Sequence, residues 1–295
     1  MIKSLEIHYR FLAKSDYSAL QTLFLEQVFP NFGKDKPHER QKKFDRMLYM
    51  RQVKFELSVG AFYEGELAGF ILMGLGKYNG KQTTYASGTG VSPKYRNLSI
   101  ATNMLRFFAK ELPKQGIEQA LVTTAPRSIK RSVGRIYEKA GYAYQRNLQS
   151  FKILKESDYI PQLVDSQCEI VQVDQPNWAL YDQIPKPLPC WERIRETVGL
   201  NAPHEVFFEA YQNKNFIGFL IADPTEGRIA ELGVLPDYQE TTALSELLQN
   251  FYTIAHHKLL RIIHIDLQEQ YIIDSLLKLG FTKFSETEEF KIIFN

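Results

Sequence analysis

The stretch GVSPKYRNLSIA, residues 90–101, contains residues that could hold a phosphate group. It follows a predicted strand and opens a predicted helix, so several backbone N–H groups and the positive end of the helix dipole meet at one place. Asn97 tolerates a left-handed backbone, and Ser99 and Ala101 are small enough for close approach. Arg96 can pair with a phosphate oxygen. The stretch therefore predicts a phosphate or pyrophosphate site.

A second copy of this stretch reads GVLPDYQETTAL, residues 233–244. Thr241 and Thr242 are β-branched and stiff, and Leu244 replaces the small Ala101. Glu240 would place a carboxylate beside any bound anion. We therefore expect only the first copy to bind a pyrophosphate.

Two further matches occur in the same order along the chain: AGFIL (68–72) with IGFLI (217–221), and YEKAGY (137–142) with LLKLGF (276–281). Chance would not preserve this order, so the matches indicate a tandem duplication. The polar stretch 155–167 separates the copies. The predicted domains are residues 1–155 and 165–295.

Each half has the pattern of an α/β domain. The first half is predicted to contain a strand, a helix, a charged helix, a hairpin, and then the strand Thr83–Val91 before the loop. The helices Thr102–Leu112 and Ser128–Ala140 follow, with a buried strand between them and another strand after them. The second half repeats this order and includes a predicted helix Leu244–Lys258. Each half should form a mixed, twisted sheet flanked by helices.

The composition is that of an ordinary soluble protein, with 44% hydrophobic residues and a net charge of +2 in 295 residues. This charge gives no argument for nucleic acid or membrane as a partner. The longest apolar run, 68–75, is too short to span a bilayer. Cys168 and Cys190 lack CxxC spacing, which favours reduced thiols and a cytoplasmic location.

The loop and YEKAGY together resemble the GNAT superfamily of N-acetyltransferases, whose acetyl-CoA loop reads Arg/Gln-x-x-Gly-x-Gly/Ala. The resemblance extends over 1–155, and 165–295 is similar to a degenerate second copy. It implies that the backbone of Thr89 and Val91 pairs with the pantetheine arm of acetyl-CoA. It also implies that the pyrophosphate is held by the N–H groups of Arg96, Asn97, Leu98, Ser99, Ile100, Ala101 and Thr102.

The sequence departs from the family pattern at three positions. Ser99 stands where the first motif glycine is usual, and Asn97 where another glycine is frequent. Lys130 stands where the later helix often carries an Asn that touches the cofactor. The first two departures bear on the affinity for acetyl-CoA.

The resemblance implies transfer of an acetyl group to an amine, and Tyr137 matches the tyrosine that acts as general acid in many members. The alternative is a Tyr137 that only packs against a strand. The general base stays open, because the strand TTYASGTGV lacks a carboxylate. His38, Glu39, Glu56 and a water relay are the candidates. Glu231, on the second copy's strand, is interpreted as solvated or salt-bridged.

Other charged groups have two interpretations. Arg127, Lys130, Arg131 and Arg135 form either a solvated basic face or a contact with the 3′-phosphate of CoA. The basic run 34–46 is either a solvated helix or a surface that attracts an acidic substrate. His256, His257, His264 and Asp266 do not suggest a metal site, because adjacent histidines on a helix face different ways.

Three functions remain open. The first is an acetyl-CoA-dependent N-acyltransferase that acts by direct attack on an amine acceptor, as a monomer or homodimer. The second is a non-catalytic acyl-CoA-binding regulator, favoured by the missing strand carboxylate and by Ser99. The third is an aminoacyltransferase with tandem GNAT-like domains, although such enzymes usually lack an intact acetyl-CoA loop.

Overall fold

The computed structural model describes residues 6–33, 37–155 and 168–294. The chain forms two compact units. Unit 1 comprises Met1–Arg146 and Glu288–Asn295, and unit 2 comprises Asn147–Thr287. No helix within the described ranges is long and apolar enough to cross a membrane.

Within the described residues, unit 1 contains five complete strands and four helices. The strands are β1 (His8–Phe11), β2 (Val59–Tyr63), β3 (Glu66–Tyr78), β4 (Lys81–Val91) and β5 (Gln119–Thr124). The helices are α1 (Tyr17–Thr22), α2 (Arg40–Met50), α3 (Ile100–Glu111) and α4 (Arg127–Lys139). A π-helical turn, Leu23–Val28, continues α1. Short 3-10 turns lie at Lys14–Asp16, Pro37–Glu39, Phe55–Leu57, Pro93–Tyr95 and Leu112–Gln115.

Unit 2 repeats this set of strands. It contains β7 (Glu169–Val173), β8 (Val206–Gln212), β9 (Asn215–Asp223), β10 (Arg228–Val234) and β11 (Leu259–Asp266). Its helices are α5 (Trp178–Tyr181), α6 (Arg195–Leu200), α7 (Ala243–Ile254) and α8 (Gln270–Lys278). Its 3-10 turns are Trp191–Arg193, Ala202–His204 and Pro236–Tyr238. The predicted helix Leu244–Lys258 is too long, since α7 ends at Ile254.

Two long strands, β6 (Ala143–Leu154) and β12 (Thr282–Ile293), complete the sheets. In unit 1, β5 pairs antiparallel with β12 at residues Glu288–Ile293. In unit 2, β11 pairs antiparallel with β6 at residues Leu148–Leu154. The last strand of each unit therefore comes from the other half of the sequence. The predicted domains 1–155 and 165–295 follow the sequence repeat, and their bounds differ from those of the compact units. They therefore stay a prediction about the repeat.

The sheet of unit 1 has the order β1-β2-β3-β4-β5-β12, and apolar residues cover both of its faces. Phe70 and Leu72 of β3 pack with α1, the π-helical turn and α2. Ile71 and Met73 point the other way and pack with α3. This alternation explains the unbroken apolar run in β3, since a strand buried on both faces needs no polar side.

The corresponding sheet of unit 2 has the order β7-β8-β9-β10-β11-β6. One face carries a core built with α7 and α8, which includes Leu244, Leu247 and Leu276. The opposite face packs with α5 and α6, and Tyr181 stacks on Phe219 with ring centroids 4.1 Å apart. Both units are therefore mixed α/β structures, as predicted.

Candidate active site

The carboxyl-terminal half of β4 has an open edge. The parallel pairing of β4 with β5 covers only Thr83–Tyr85 opposite Gln119–Leu121. Ser92 N–H, just beyond β4, donates to Ala68 O of β3 at 2.9 Å. The N–H and C=O groups of successive residues in a strand point alternately to the two neighbouring sides. Because Ser92 bonds to β3, the N–H and C=O groups of Thr89 and Val91 point away from β3, toward the open side. These are the two residues predicted to pair with pantetheine.

The loop after β4 has a backbone conformation that only some residues adopt readily. Asn97 has φ 65° and Ser99 has φ 58°, both in the left-handed region. The left-handed Asn97 was expected, and Ser99 occupies a conformation that glycine adopts with less strain. Ser99 O accepts the N–H of Asn103 at 3.0 Å. The N–H groups of residues 100–102 thus form the first turn of α3.

Surrounding contacts hold the loop against the sheet while leaving its tip exposed. Tyr95 donates its hydroxyl to Glu66 at 2.9 Å. Ile100 is buried in the core, whereas residues 96–99 are exposed. A Cβ at Gly90 would lie 2.5 Å from Val28, so a glycine is required where the π-helical turn crosses β4. The loop is thus anchored at both ends.

The charge around this loop suits an anion. The first turn of α3 carries no acidic residue, and Arg96 is exposed with its Nε 3.4 Å from Val91 O. A free helix N-terminus with an adjacent guanidinium attracts phosphate oxygens.

Tyr137 lies beside the open edge of β4. Its hydroxyl is 3.3 Å from Thr89 Oγ1, although 48 residues separate the two in sequence. The ring is 5% exposed, stacks near Phe290 at 6.4 Å and meets Tyr142 edge-on at 5.4 Å. Burial raises the pKa of Tyr137, and the hydrogen bond with Thr89 offsets part of this rise. The hydroxyl is therefore neutral near pH 7 and can donate a proton.

The basic residues of α4 differ in their surroundings. Arg127 is already paired, with Glu288 at 2.9 Å and with Glu138 at 2.7 Å. Arg135 is exposed. Lys130 and Arg131 belong to the helix, but their side chains lie outside the described part of the structure. The predicted roles of these residues toward CoA stay predictions.

The candidate bases lie at the surface. His38 Nε2 is 3.6 Å from Glu39, and its side chain is 80% exposed. Glu56 is exposed in the 3-10 turn Phe55–Leu57. The general base therefore stays open.

Sequence reasoning missed two residues around β4. Phe290 comes from β12, and nothing in the repeat indicated that this strand belongs to unit 1. Arg51 donates to Ser87 O at 3.3 Å, where the register between β3 and β4 shifts by one residue. A Cβ at Gly74 would lie 2.1 Å from Arg51 O. That glycine was the available signal for a close backbone approach.

In unit 2, a side chain occupies the corresponding strand edge. Glu231 aligns with Gly88, and its carboxylate accepts the N–H of Leu232 at 3.0 Å, the group that aligns with the N–H of Thr89. Glu231 is 2% exposed and is paired with Arg193 at 2.7 Å and Lys186 at 3.3 Å. Burial raises the pKa of Glu231, but the two cations outweigh it and hold that pKa below its usual range. The salt-bridged interpretation of Glu231 is confirmed, and the solvated one is wrong.

The second loop also differs in conformation. No residue from 235 to 243, all of them described, has a positive φ. Thr241 Oγ1 accepts the N–H of Ala243 at 3.3 Å, and Glu246 in the first turn of α7 accepts the hydroxyl of Thr242. A threonine hydroxyl thus accepts the first N–H of this helix, and the first turn carries a carboxylate, so the helix start disfavours an anion.

In each unit two parallel strands pair over only two or three residues, β4 with β5 and β10 with β11, and unit 1 adds an open strand edge beside a helix start. Residues 20–142 match the model of the acetyltransferase (GNAT) family. No curated protein sequence matches the chain significantly.

Solved structures with the same fold cover nearly the whole chain. A tandem GNAT protein from the clavulanic acid biosynthesis pathway has a TM-score of 0.68 at 13% identity, over 98% of this chain and 99% of that one. The GCN5-related N-acetyltransferase from Sphaerobacter thermophilus has a TM-score of 0.64 at 14% identity, over 98% of this chain and 96% of that one. The GCN5-related N-acetyltransferase from Anabaena variabilis ATCC 29413 has a TM-score of 0.60 at 15% identity, over 98% of this chain and 73% of that one. Residues 20–142 therefore match the GNAT family model, and the chain has the fold of a tandem GNAT protein.

Proposed function

We propose that this protein transfers the acetyl group of acetyl-CoA to an amine, with acetyl-CoA bound by unit 1. The observation that carries the proposal is the approach of Tyr137 OH to Thr89 Oγ1 at 3.3 Å, on the open edge of β4. An extended ligand with amide groups could add to this edge as a further strand would. Its phosphates would then lie at the loop 96–99 and the start of α3.

The proposed reaction uses Tyr137 as the proton donor. The amine nitrogen attacks the thioester carbonyl, so an N–C bond forms and the C–S bond breaks. The departing thiolate of CoA takes the proton of the Tyr137 hydroxyl, and the amine loses a proton to a base that is still unassigned. The raised pKa of Tyr137 keeps its proton in place until the thiolate forms.

Calorimetric titration of acetyl-CoA tests the cofactor site. The variant Arg96→Glu with Ala101→Leu imports two features of the second loop, a carboxylate and a bulky side chain. We expect micromolar binding to the wild type and no measurable binding to this variant. Glu240→Gln, an exposed change in the second loop, is the matched control and should bind as the wild type does. If the wild type does not bind, the proposal fails.

One observation favours the second candidate, a regulator that binds acyl-CoA without turnover. No carboxylate lies on β4, Lys81–Val91, beside Tyr137. Binding of acetyl-CoA without thiol release in the presence of a broad amine panel would support the regulator. Release of free CoA with any amine, measured with a thiol reagent, would support the enzyme.

A further inference from the structure

Three side chains with metal-binding atoms meet in unit 2, remote in sequence from the repeat motifs. Cys190, Glu192 and His264 each place one donor atom within 4.8 Å of the other two. Cys190 and Glu192 lie at the 3-10 turn Trp191–Arg193, and His264 lies on β11. The His264 Nδ1 to Glu192 Oε2 distance is 3.2 Å. The cluster combines a thiol, an imidazole and a carboxylate from two separate elements.

An interruption of β11 places the imidazole in this cluster. The pairing register with β6 shifts between Ile262 and Ile265, and His264 has φ 57°. Its N–H donates to Ser150 Oγ at 3.2 Å instead of to a ladder carbonyl, and its carbonyl accepts from Arg193 at 3.3 Å. His264 is therefore held on both backbone groups, with its ring beside the 3-10 turn.

The spacing of the donor atoms fits a tetrahedral ion. Zn–N and Zn–O bonds of about 2.0–2.1 Å give a tetrahedron edge of about 3.3 Å, close to the 3.2 Å between His264 and Glu192. The Cys190 Sγ lies within 4.8 Å of both, and a Zn–S bond of about 2.3 Å corresponds to an edge of about 3.5 Å. A small movement of the thiol would complete three ligands.

The surrounding charge also favours a divalent cation. Arg193 joins Glu231 and Glu269, and Lys186 pairs with Glu231. Glu192 and Asp266, which lies two residues after His264 and is 4% exposed, add two more carboxylates. Four acidic residues, Glu192, Glu231, Asp266 and Glu269, thus belong to the elements that meet here, and carboxylate oxygens attract divalent cations.

Accessibility is consistent with entry of an ion but not of a large substrate. Cys190 is 1% exposed, whereas the Glu192 and His264 side chains are 10% and 12% exposed. A buried thiol beside a histidine is poorly placed to attack a bulky substrate, but a small ion can reach it from the carboxylate side.

We propose that Cys190, Glu192 and His264 bind a zinc ion, with water as the fourth ligand. Thiolate and imidazole select zinc over magnesium or calcium, which prefer oxygen ligands. The ion would tie the 3-10 turn Trp191–Arg193 to β11. The sequence predicts no metal site, because the predicted helix contains His256 and His257 and because Cys190 lacks CxxC spacing. In the structure both histidines follow α7, and 72 residues separate Glu192 from His264.

Cobalt substitution tests the proposal in the tag-free chain. Co²⁺ titrated into the metal-free chain should give tetrahedral d–d bands and a thiolate-to-cobalt charge-transfer band that saturate at one ion per chain. Zn²⁺ should displace the cobalt. Cys190→Ser should abolish the charge-transfer band. His264→Asn, which keeps a residue tolerant of positive φ, should weaken Zn²⁺ binding by more than about 100-fold, since even indirect partners of a metal contribute about 10–100-fold.

Matched controls exclude surface binding. Cys168→Ser and His256→Gln change the other cysteine and an exposed histidine, and both should keep one tight site. Circular dichroism of the metal-free variants must match the wild type. For a variant that fails this check, the milder Glu192→Gln is measured instead, with the same expected loss. Failure of the wild type to bind, or tight binding that survives Cys190→Ser and His264→Asn together, would overturn the proposal.

Discussion

The loop after β4 and the loop after β10 share the start Gly-Val-x-Pro-x-Tyr but differ in the groups that satisfy the backbone around them. In unit 1, the N–H groups at the edge of β4 and at the start of α3 face outward. In unit 2, Glu231 accepts the matching strand N–H, and Thr241 Oγ1 accepts the N–H of Ala243, the first residue of the matching helix. The first loop keeps its donors exposed, as the proposed function requires, while the second loop uses its own side chains.

This difference fits the proposed function, in which only unit 1 binds acetyl-CoA. At Glu231 and Thr241 the second copy makes inside the protein the contacts that a ligand would make to the first copy. Glu231 then needs cations, which Arg193 and Lys186 provide. Unit 2 therefore has internal charge pairs at the place where unit 1 has an open edge.

The largest expected effect comes from Tyr137. Tyr137→Phe keeps the ring packed against Tyr142 and Phe290 but removes the proton donor, so we expect kcat to fall by about 100- to 10,000-fold. Affinity for acetyl-CoA should stay unchanged. Steady-state kinetics with any accepted amine measure the first quantity, and calorimetry measures the second. Tyr142→Phe is the control, and an equal kcat for wild type and Tyr137→Phe would leave Tyr137 a packing residue.

The second prediction concerns the buried charges of unit 2. Arg193→Met leaves Glu231 and Glu269 without their main partner, and we expect the free energy of unfolding to fall by about 3–5 kcal/mol. Lys114→Met, which breaks the i,i+3 pair of the exposed Lys114 with Glu111 in unit 1, should cost less than about 1 kcal/mol. Urea unfolding measures both. Equal losses would contradict the view that burial makes the Arg193 ion pairs more important for stability than an exposed pair.

The pH dependence of unit 2 supplies a third prediction. The pKa of Glu231 is lower in the folded state than the unfolded value of about 4.3, so its ionisation stabilises the fold above that pH. The wild type should exceed Glu231→Gln in unfolding free energy by its largest margin above about pH 5. This margin should shrink as the pH falls through the folded-state pKa of Glu231. Burial instead raises the pKa of Glu205, so the corresponding difference for Glu205→Gln should change with the opposite slope. Urea midpoints from pH 7 to pH 3 check both signs.

Much of the first site could be predicted from the sequence because its parts follow local rules. The strand, turn and helix around residues 90–101 have clear patterns, and Asn97 has the left-handed conformation that its type allows. Tyr137 and Thr89 belong to elements that the repeat identified, so their approach follows from the fold.

The remainder depends on contacts that leave no local pattern. β6 and β12 read alike as strands, and no sequence signal tells which unit each one completes, so Phe290 could not be assigned to the Tyr137 environment. Arg193 and Lys186 lie in or after a proline-rich segment without periodicity. The partners of Glu231 are therefore known only from the tertiary structure. The same holds for the proximity of Cys190 and His264.

The smallest expected effect gives the most direct test of the two loops, since the same substitution should act with opposite sign. Ser99 has φ 58° and aligns with Thr242, which has φ −80°. Ser99→Gly relieves left-handed strain, so we expect unfolding free energy to rise by up to about 1 kcal/mol and acetyl-CoA affinity to hold or rise. Thr242→Gly removes the hydrogen bond from the Thr242 hydroxyl to Glu246 and raises the backbone entropy of the unfolded chain. The unfolding free energy should therefore fall by about 1 kcal/mol. Thermal unfolding of both variants decides the matter, because a loss of stability in both would mean that the two loops share one conformation in solution.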